Sequence, residues 1–254
     1  MKRFKLLTIG LSVLFISLSF TTVFANSAIN VQFDANTQTG LEALDIVFLL
    51  LFLSLIPSLI LLMSSFTRII IVFSFLRNAM GLQQTPPNQV LLGLSLFLSL
   101  FIMAPVINTI NETAYTPYRE QIITQDEAFA KAQVPVKEFM LRQVDNASLQ
   151  LFLDIAKVEL VVDDTQNQQV ELAQLDLTLL VPAFVTSELK RAFLIGFLLF
   201  IPFLAIDLIV ASTLMSMGMV MLPPGMIALP FKVMLFVLAD GWGLLMGSLV
   251  RGFS

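Results

Sequence analysis

Five charged residues lie inside otherwise apolar runs: Arg68, Arg77, Asp207, Lys232 and Asp240. A charge at bilayer depth costs roughly 2.5–3.5 kcal/mol on insertion scales, so each must face protein or water. Asp207 and Lys232 flank a short methionine-rich segment, Met215 to Gly225, and both lie on the order of 10–20 Å from it along a helix. Three chemistries are open to them. They can pair with one another inside a helical hairpin, each can pair with a charge on a neighbouring subunit, or Asp207 can relay protons. A relay normally places several carboxylates or histidines in register, and Asp240 is the only other acid deep in these runs.

The second chemical feature is thioether. Met215, Met217, Met219, Met221 and Met226 account for five of the twelve methionines, and Val220 interrupts the run. Pro223 and Pro224 stop a helix there, since proline lacks the amide donor and pushes its predecessor out of the helical region. The methionines are therefore expected on a non-helical link between two membrane-length helices. Such backbone is tolerated at the water edge, buried in protein, or lining a cavity. Methionine is unbranched and soft, which suits changing partners. In a ring of copies the links would form a deformable constriction; alternatively, they are ordinary hairpin loops anchored in lipid or core.

The elements that must position these residues are apolar. Of 254 residues 57% are hydrophobic and the mean hydropathy is +0.89, the composition of a membrane protein. The chain has no cysteine and no histidine. That excludes disulfides, thiol catalysis, thiolate or imidazole metal sites and histidine triads. With no paired-carboxylate or Ser/Lys signature either, no enzyme activity and no cofactor are implied.

In chain order, Lys2, Arg3 and Lys5 precede an apolar Leu6–Phe20 and a Val23-Phe24-Ala25 site. Residues 1–25 thus read as a cleavable signal peptide rather than an uncleaved first span. Residues 26–43 form a polar exported tail. A first hydrophobic hairpin occupies 44–110, with runs Leu44–Met63 and Val90–Ile110. Apolar character continues past Arg68 to Leu76, so the first helix either overruns the bilayer or breaks near Ser64-Ser65. Residues 111–185 form an acidic extracytoplasmic segment, with twelve acidic against five basic residues between Asn111 and Pro182. Helical spacing is expected over Gln121–Ala132 and Lys137–Val158. The excess of acid argues against nucleic acid or anionic lipid as a partner. A second hairpin, 186–254, holds runs Phe193–Leu214 and Met226–Val250 around the methionine link 215–225. The fold class is all-α: four long hydrophobic helices in two hairpins plus a small acidic helical segment.

The basic residues fit a conventional four-helix topology poorly. The methionine link carries no Lys or Arg, and Lys190, Arg191 and Arg251 fall on the outer side. The helices are therefore expected to pack within a multi-subunit assembly that answers their charges across interfaces.

Several stretches resemble the FliP/SctR family of type III export proteins. They include Pro182-Ala-Phe-Val-Thr-Ser-Glu-Leu-Lys-Arg-Ala-Phe-Leu-Ile-Gly-Phe197, Ile201-Pro-Phe-Leu-Ala-Ile-Asp207, Gly218-Met-Val-Met-Leu-Pro-Pro224 and Ala228-Leu-Pro-Phe-Lys232 through Asp240-Gly-Trp242. Phe66-Thr-Arg68, Leu76-Arg77-Asn-Ala79, Pro86-Pro-Asn-Gln-Val-Leu-Leu-Gly93 and Glu138-Phe-Met-Leu-Arg-Gln143 also fit. Leu194 departs from a usually polar position, and Val220 from a usually unbroken methionine run. The resemblance implies a core subunit of a flagellar export gate in the bacterial inner membrane and basal body, passing unfolded substrates. It implies a helical ring of copies completed by FliR, surrounded by FliQ, contacted by FlhB and FlhA, and assembled with a FliO-like factor. Membrane lipid is the remaining partner. By position, Met219, Val220 and Met221 would form the seal, supported by Met215 and Met217. Arg68, Arg77, Asp207, Lys232 and Asp240 would make structural or intersubunit charge contacts. The alternative is an ion-coupled transporter subunit using Asp207.

Overall fold

A computed structural model describes residues 40–158, 175–219 and 221–253. The signal peptide, nearly all of the exported tail, residues 159–174 and Val220 lie outside them. The described residues are helical, with no strand among them. The helices are α1 (Gly40–Leu62), α2 (Phe66–Ala79), α3 (Asn88–Ile110), a π-helical turn (Asn111–Tyr115), α4 (Thr116–Arg119), α5 (Gln125–Gln143), α6 (Asn146–Ala156), α7 (Leu177–Ser216), α8 (Pro224–Leu238) and α9 (Gly241–Arg251). Leu53 onward belongs to one compact unit, and the packing described below is within it.

Asn88–Arg119 and Leu177–Ser216 are each long and apolar enough to cross a membrane, and counting two bent helix pairs as spans raises the number to as many as four. This is an all-α membrane protein. The first bent pair breaks between Leu62 and Phe66, which resolves the overrun-or-break alternative. Small hydroxyls make that break tolerable. Ser64 Oγ donates to Leu61 O at 2.8 Å and accepts from the Phe66 N–H, while Ser65 Oγ donates to Ser99 Oγ at 3.0 Å. Buried polar groups are thereby kept paired.

Three expectations need correction. The Met226–Val250 run is two helices, α8 and α9, bent by 61° where Asp240 adopts the left-handed conformation at φ 48°. The Phe193–Leu214 run is the end of a 40-residue helix that starts at Leu177. Its start is set by Asp176, whose carboxylate accepts from the Thr178 N–H. The helices expected over 121–132 and 137–158 are instead Gln125–Gln143 and Asn146–Ala156. Side-chain caps decide these boundaries. Thr124 and Glu127 form a reciprocal capping box, and Asp145 accepts from the Ser148 N–H at 3.0 Å. Pro135 is carried inside α5 without ending it.

α2 and α7 run side by side in the same direction. Arg68 meets Glu188, Phe75 meets Phe193 and Gly196 further along, and Ala79 lies beside the Asp207 partner Lys232. Leu180, Phe184, Glu188, Ala192 and Gly196, spaced by four, are all buried along one stripe of α7. Ile69, Val72, Phe73, Leu76 and Ala79 bury the facing side of α2. Trp242 of α9 closes this core edge-on to Phe73 and Phe236. A second core joins Val106 of α3, Phe139 and Met140 of α5, and Leu180 and Phe184 of α7.

Two predictions follow from this packing. A Cβ at Gly196 would sit 2.5 Å from the Phe75 ring. Gly196→Val is expected to cost about 1–3 kcal/mol by overpacking the α2–α7 seam, read as a lower thermal midpoint of the purified protein in detergent. The Ser148 N–H is the main cause holding the Asp145 carboxyl down at about 2 from 3.8; burial opposes it, and the Ser148 and Ser187 hydroxyls and Lys190 assist. A carboxyl with a depressed folded-state pKa stabilises above its unfolded value, and that contribution disappears as pH falls through about 2. Unfolding midpoints of the wild type and Asp145→Asn should differ at pH 6 and converge toward pH 2.

Candidate functional site

The α7–α8 hairpin carries the methionine segment at its tip. α7 closes in a Schellman arrangement: the Gly218 N–H donates to Met215 O at 3.1 Å and the Met219 N–H to Leu214 O at 3.0 Å. This requires a left-handed residue, and Gly218 supplies it at φ 75°. On the other side, Pro223 caps α8 and Pro224 opens it, where the missing amide donor costs nothing. The unframed link is thus only Met219–Leu222. Met215 belongs to the last turn of α7 and is therefore not on the non-helical link where the sequence put it, whereas Met217 is the cap just beyond the helix.

The thioethers are presented outward. Met221 is 97% exposed, Met226 72%, Met215 66%, Met217 64% and Met219 44%. Val220 lies outside the described residues. Among the described residues, none from Leu204 to Ile227 is buried, and Ala228 is the first that is.

Below the tip, Lys232 Nζ donates to Asp207 Oδ2 at 2.6 Å and to Ala79 O at 3.1 Å. Asp207 and Lys232 are therefore paired within the hairpin. Asp207 Oδ1 is buried without a protein partner among the described residues. Asp207 and Lys232 line a cavity of about 740 Å³ between the hairpin tip and the Gly81–Thr85 loop.

Arg68 is 2% exposed and makes the densest polar cluster. Nε and Nη2 grip the Glu188 carboxylate at 2.8 and 2.5 Å. Nη2 also donates to Gln143 Oε1 at 3.1 Å and Nη1 to Gly252 O at 3.0 Å. The guanidinium lies 3.7 Å from the Phe253 ring centroid. Arg191 donates to the same Gln143 oxygen at 2.8 Å. The cluster therefore joins α2, α5, α7 and the turn after α9. Sequence reasoning missed Glu188 and Gln143 as partners of Arg68. The available signal was a carboxylate on the fully apolar i+4 stripe of α7, a position that forces pairing.

The remaining two charges behave differently. Arg77 hydrogen-bonds Asn88 Oδ1 and Pro86 O, finds no carboxylate among the described residues, and leaves Nε without a partner. It pins the start of α3. Asp240 is exposed and forms no ion pair among the described residues. Its carboxylate lies over Gly243, where a Cβ would approach Oδ2 to 2.4 Å. Its role here is the left-handed bend. No group of three acids able to hold a metal occurs among the described residues.

The FliP family model matches residues 49–249. The flagellar biosynthetic protein FliP of Bacillus subtilis is 48% identical over 228 residues, covering 90% of this chain and all of the relative. That of Pectobacterium carotovorum is 52% identical, covering 81% of this chain and 76% of the relative. That of Caulobacter vibrioides is 47% identical, covering 91% and 84% respectively.

The Arg68 cluster makes a two-step prediction. Glu188→Ala strands a buried guanidinium and should cost about 3–5 kcal/mol, seen as a large fall in the thermal midpoint. The double change Arg68→Met with Glu188→Leu should recover most of that loss, because two apolar side chains leave nothing unpaired.

Proposed function

The chain belongs to the FliP family, and from that premise we propose that it is a pore-forming subunit of the flagellar protein export gate. In this reading it sits in the bacterial inner membrane at the flagellar basal body, and unfolded flagellar substrates pass through it. Its partners are further copies of itself, FliR, FliQ, FlhB, FlhA and a FliO-like assembly factor. The observation that carries the reading is the hairpin tip. Met215 and Met217 at the end of α7, and Met219 and Met221 on the short link beyond it, are all exposed, and the link is framed by a Schellman turn and two prolines.

The physical logic is specific to thioether. A closed pore must exclude ions yet open for chains of any sequence. Unbranched, polarizable side chains fill irregular gaps and re-pack without demanding a fixed partner. Copies around a ring would bring several such links to one axis, and Val220 would contribute an apolar wall between Met219 and Met221. The five charges serve structure in this proposal: Asp207 with Lys232 holds the hairpin, Arg68 holds α2 on α7, and Arg77 and Asp240 set the α2–α3 loop and the α8–α9 bend. A contact of Arg77 Nε with a neighbouring copy belongs to the same reading.

The test is a triple change of Met217, Met219 and Met221 to Ala, with membrane ion leak and flagellar export measured in the same cells. Assembled complexes that leak support the methionine seal. Assembled complexes that stay impermeable and export normally overturn it. An Asp207→Lys/Lys232→Asp exchange adds a second readout: recovery of function lost in either single change marks the pair as structural, since a relay carboxylate would not survive relocation.

A further inference from the structure

Two charges of opposite sign on the second hairpin are left over once the others are accounted for. Between Leu177 and Arg251, Glu188 is paired with Arg68, Asp207 with Lys232 and Lys190 with Asp145, and Arg191 donates to Gln143. Asp240 and Arg251 remain, and neither forms an ion pair among the described residues. Arg251 donates from Nε to Gly247 O of its own helix, and its two Nη groups have no hydrogen-bond partner among the described residues. The two residues stand at opposite ends of α9, about 16 Å apart by helix rise, so they cannot pair with each other. A charge left unanswered in an apolar hairpin costs roughly 2.5–3.5 kcal/mol, so each calls for a partner from outside the chain.

The settings of the two are complementary. α8 and α9 meet at 61°, and both limbs together with α7 wall a cavity of about 710 Å³. Its lining includes Leu198, Phe203, Phe236 and Leu245, with Ser248 and Arg251 supplying the polar groups. Asp240 stands outside that lining, at the bend, beside the exposed Val237 and Leu238. One surface is thus an apolar concavity with a guanidinium, and the other an apolar corner with a carboxylate.

We propose that copies of this chain associate head to tail through these surfaces. The α8–α9 bend of one copy seats against the cavity between α7 and the α8–α9 limbs of the next, and Asp240 of the first pairs with Arg251 of the second. The proposal rests on the reading of the chain as one subunit in a ring of copies, and it names the surfaces that meet. Two different patches make a heterologous contact, which closes into a ring when the rotation allows and does not stop at a dimer. In a closed ring every Asp240 and every Arg251 is answered. Arg77 is the rival partner for Asp240, but its Nη1 is already held by Pro86 O and Asn88 Oδ1.

The chain has no cysteine of its own, so thiols can be placed at will. Two differently tagged forms of the full chain are expressed together in cells that build flagella. One carries Leu238→Cys at the bend and the other Leu198→Cys in the cavity wall, both at exposed positions. Membranes are then treated with a short bis-maleimide. The expected product is a dimer carrying both tags, with no dimer from either form expressed alone. Val237→Cys with Ser248→Cys is a second pair, read in the same way. In chains without cysteine, Asp240→Asn and Arg251→Gln should each lower the ratio of oligomer to monomer on native gels roughly tenfold. The double variant should fall no further than either single one. Asparagine is chosen because it also adopts the left-handed conformation that Asp240 requires. Dimers from Leu238→Cys alone would reveal a two-fold contact and overturn the proposal. So would the absence of a mixed dimer from both pairs, an oligomer ratio that neither charge variant moves, or losses that add in the double variant. Non-additivity of Asp240→Asn with Arg77→Gln, in place of Arg251→Gln, would move the contact to the α2–α3 loop and overturn it too. The Met217/Met219/Met221 triple variant is read separately. Leak there without a mixed dimer leaves the seal standing and rejects this interface, and a mixed dimer without leak does the reverse.

Discussion

Arg68 cannot be buried alone. A guanidinium at 2% exposure has lost its hydration, and its five donors must be answered by protein or the helix that carries it will not dock. Glu188 answers two of them in a fork, and Gln143 and Gly252 accept from others. Four segments distant in sequence are thereby drawn to one point. The direction is also fixed: with Arg68 on Glu188, α2 must run along α7 in the sense that puts Phe75 over Gly196 and Ala79 near Lys232. Hydrophobic contact alone would not select this register, because Leu, Ile and Phe pack acceptably in many. The ion pair gives α2 and α7 a single alignment that satisfies it.

The second pair depends on the first. Lys232 reaches both Asp207 and the Ala79 carbonyl at the last residue of α2, so its site exists only once α2 is aligned. The result is a gradient along α7. Its first half is held by Leu180, Phe184, Glu188, Ala192 and Gly196; its last turns bury nothing. A held base and an unburied tip follow from where the charges and the small residues fall on one helix. Leu208, Ile209, Met215 and Met226 are exposed apolar groups at the tip, a surface too extensive for water and suited to lipid or to neighbouring chains.

Much of this was legible in the sequence, and the failures share a cause. The helical class, the turn between Gly81 and Asn88, the break at Ser64-Ser65 as one of two alternatives, and the methionine link between Asp207 and Lys232 are all local or periodic features. Proline, hydropathy and spacing reveal them. The α5–α6 boundary went wrong because Lys137–Val158 keeps apolar spacing through Val144 and Asp145, while the cap made by Asp145 with Ser148 turns the chain there. The single span expected over Met226–Val250 hid a bend, because hydropathy is blind to a left-handed residue such as Asp240. Glu188 was missed because its partner is 120 positions away, and no local pattern encodes a contact at that separation.

The same reasoning explains why the basic residues fit a simple topology so poorly. A 40-residue helix is about 60 Å long, whereas a hydrocarbon core is about 30 Å. α7 cannot be one conventional span with loops at the water edge. Tilt takes up only part of the excess, so a good part of its length must run against protein or water. The positions of Lys190 and Arg191, in the second turn-pair of that helix and close to Asp145 and Gln143, are then set by protein partners rather than by a membrane face. The positive-inside rule counts charges in short loops next to spans, whereas Lys190 and Arg191 lie within a long helix and reach side chains at the α5–α6 corner. What reads in the sequence as a defective membrane topology is the signature of helices whose charges are satisfied by other helices.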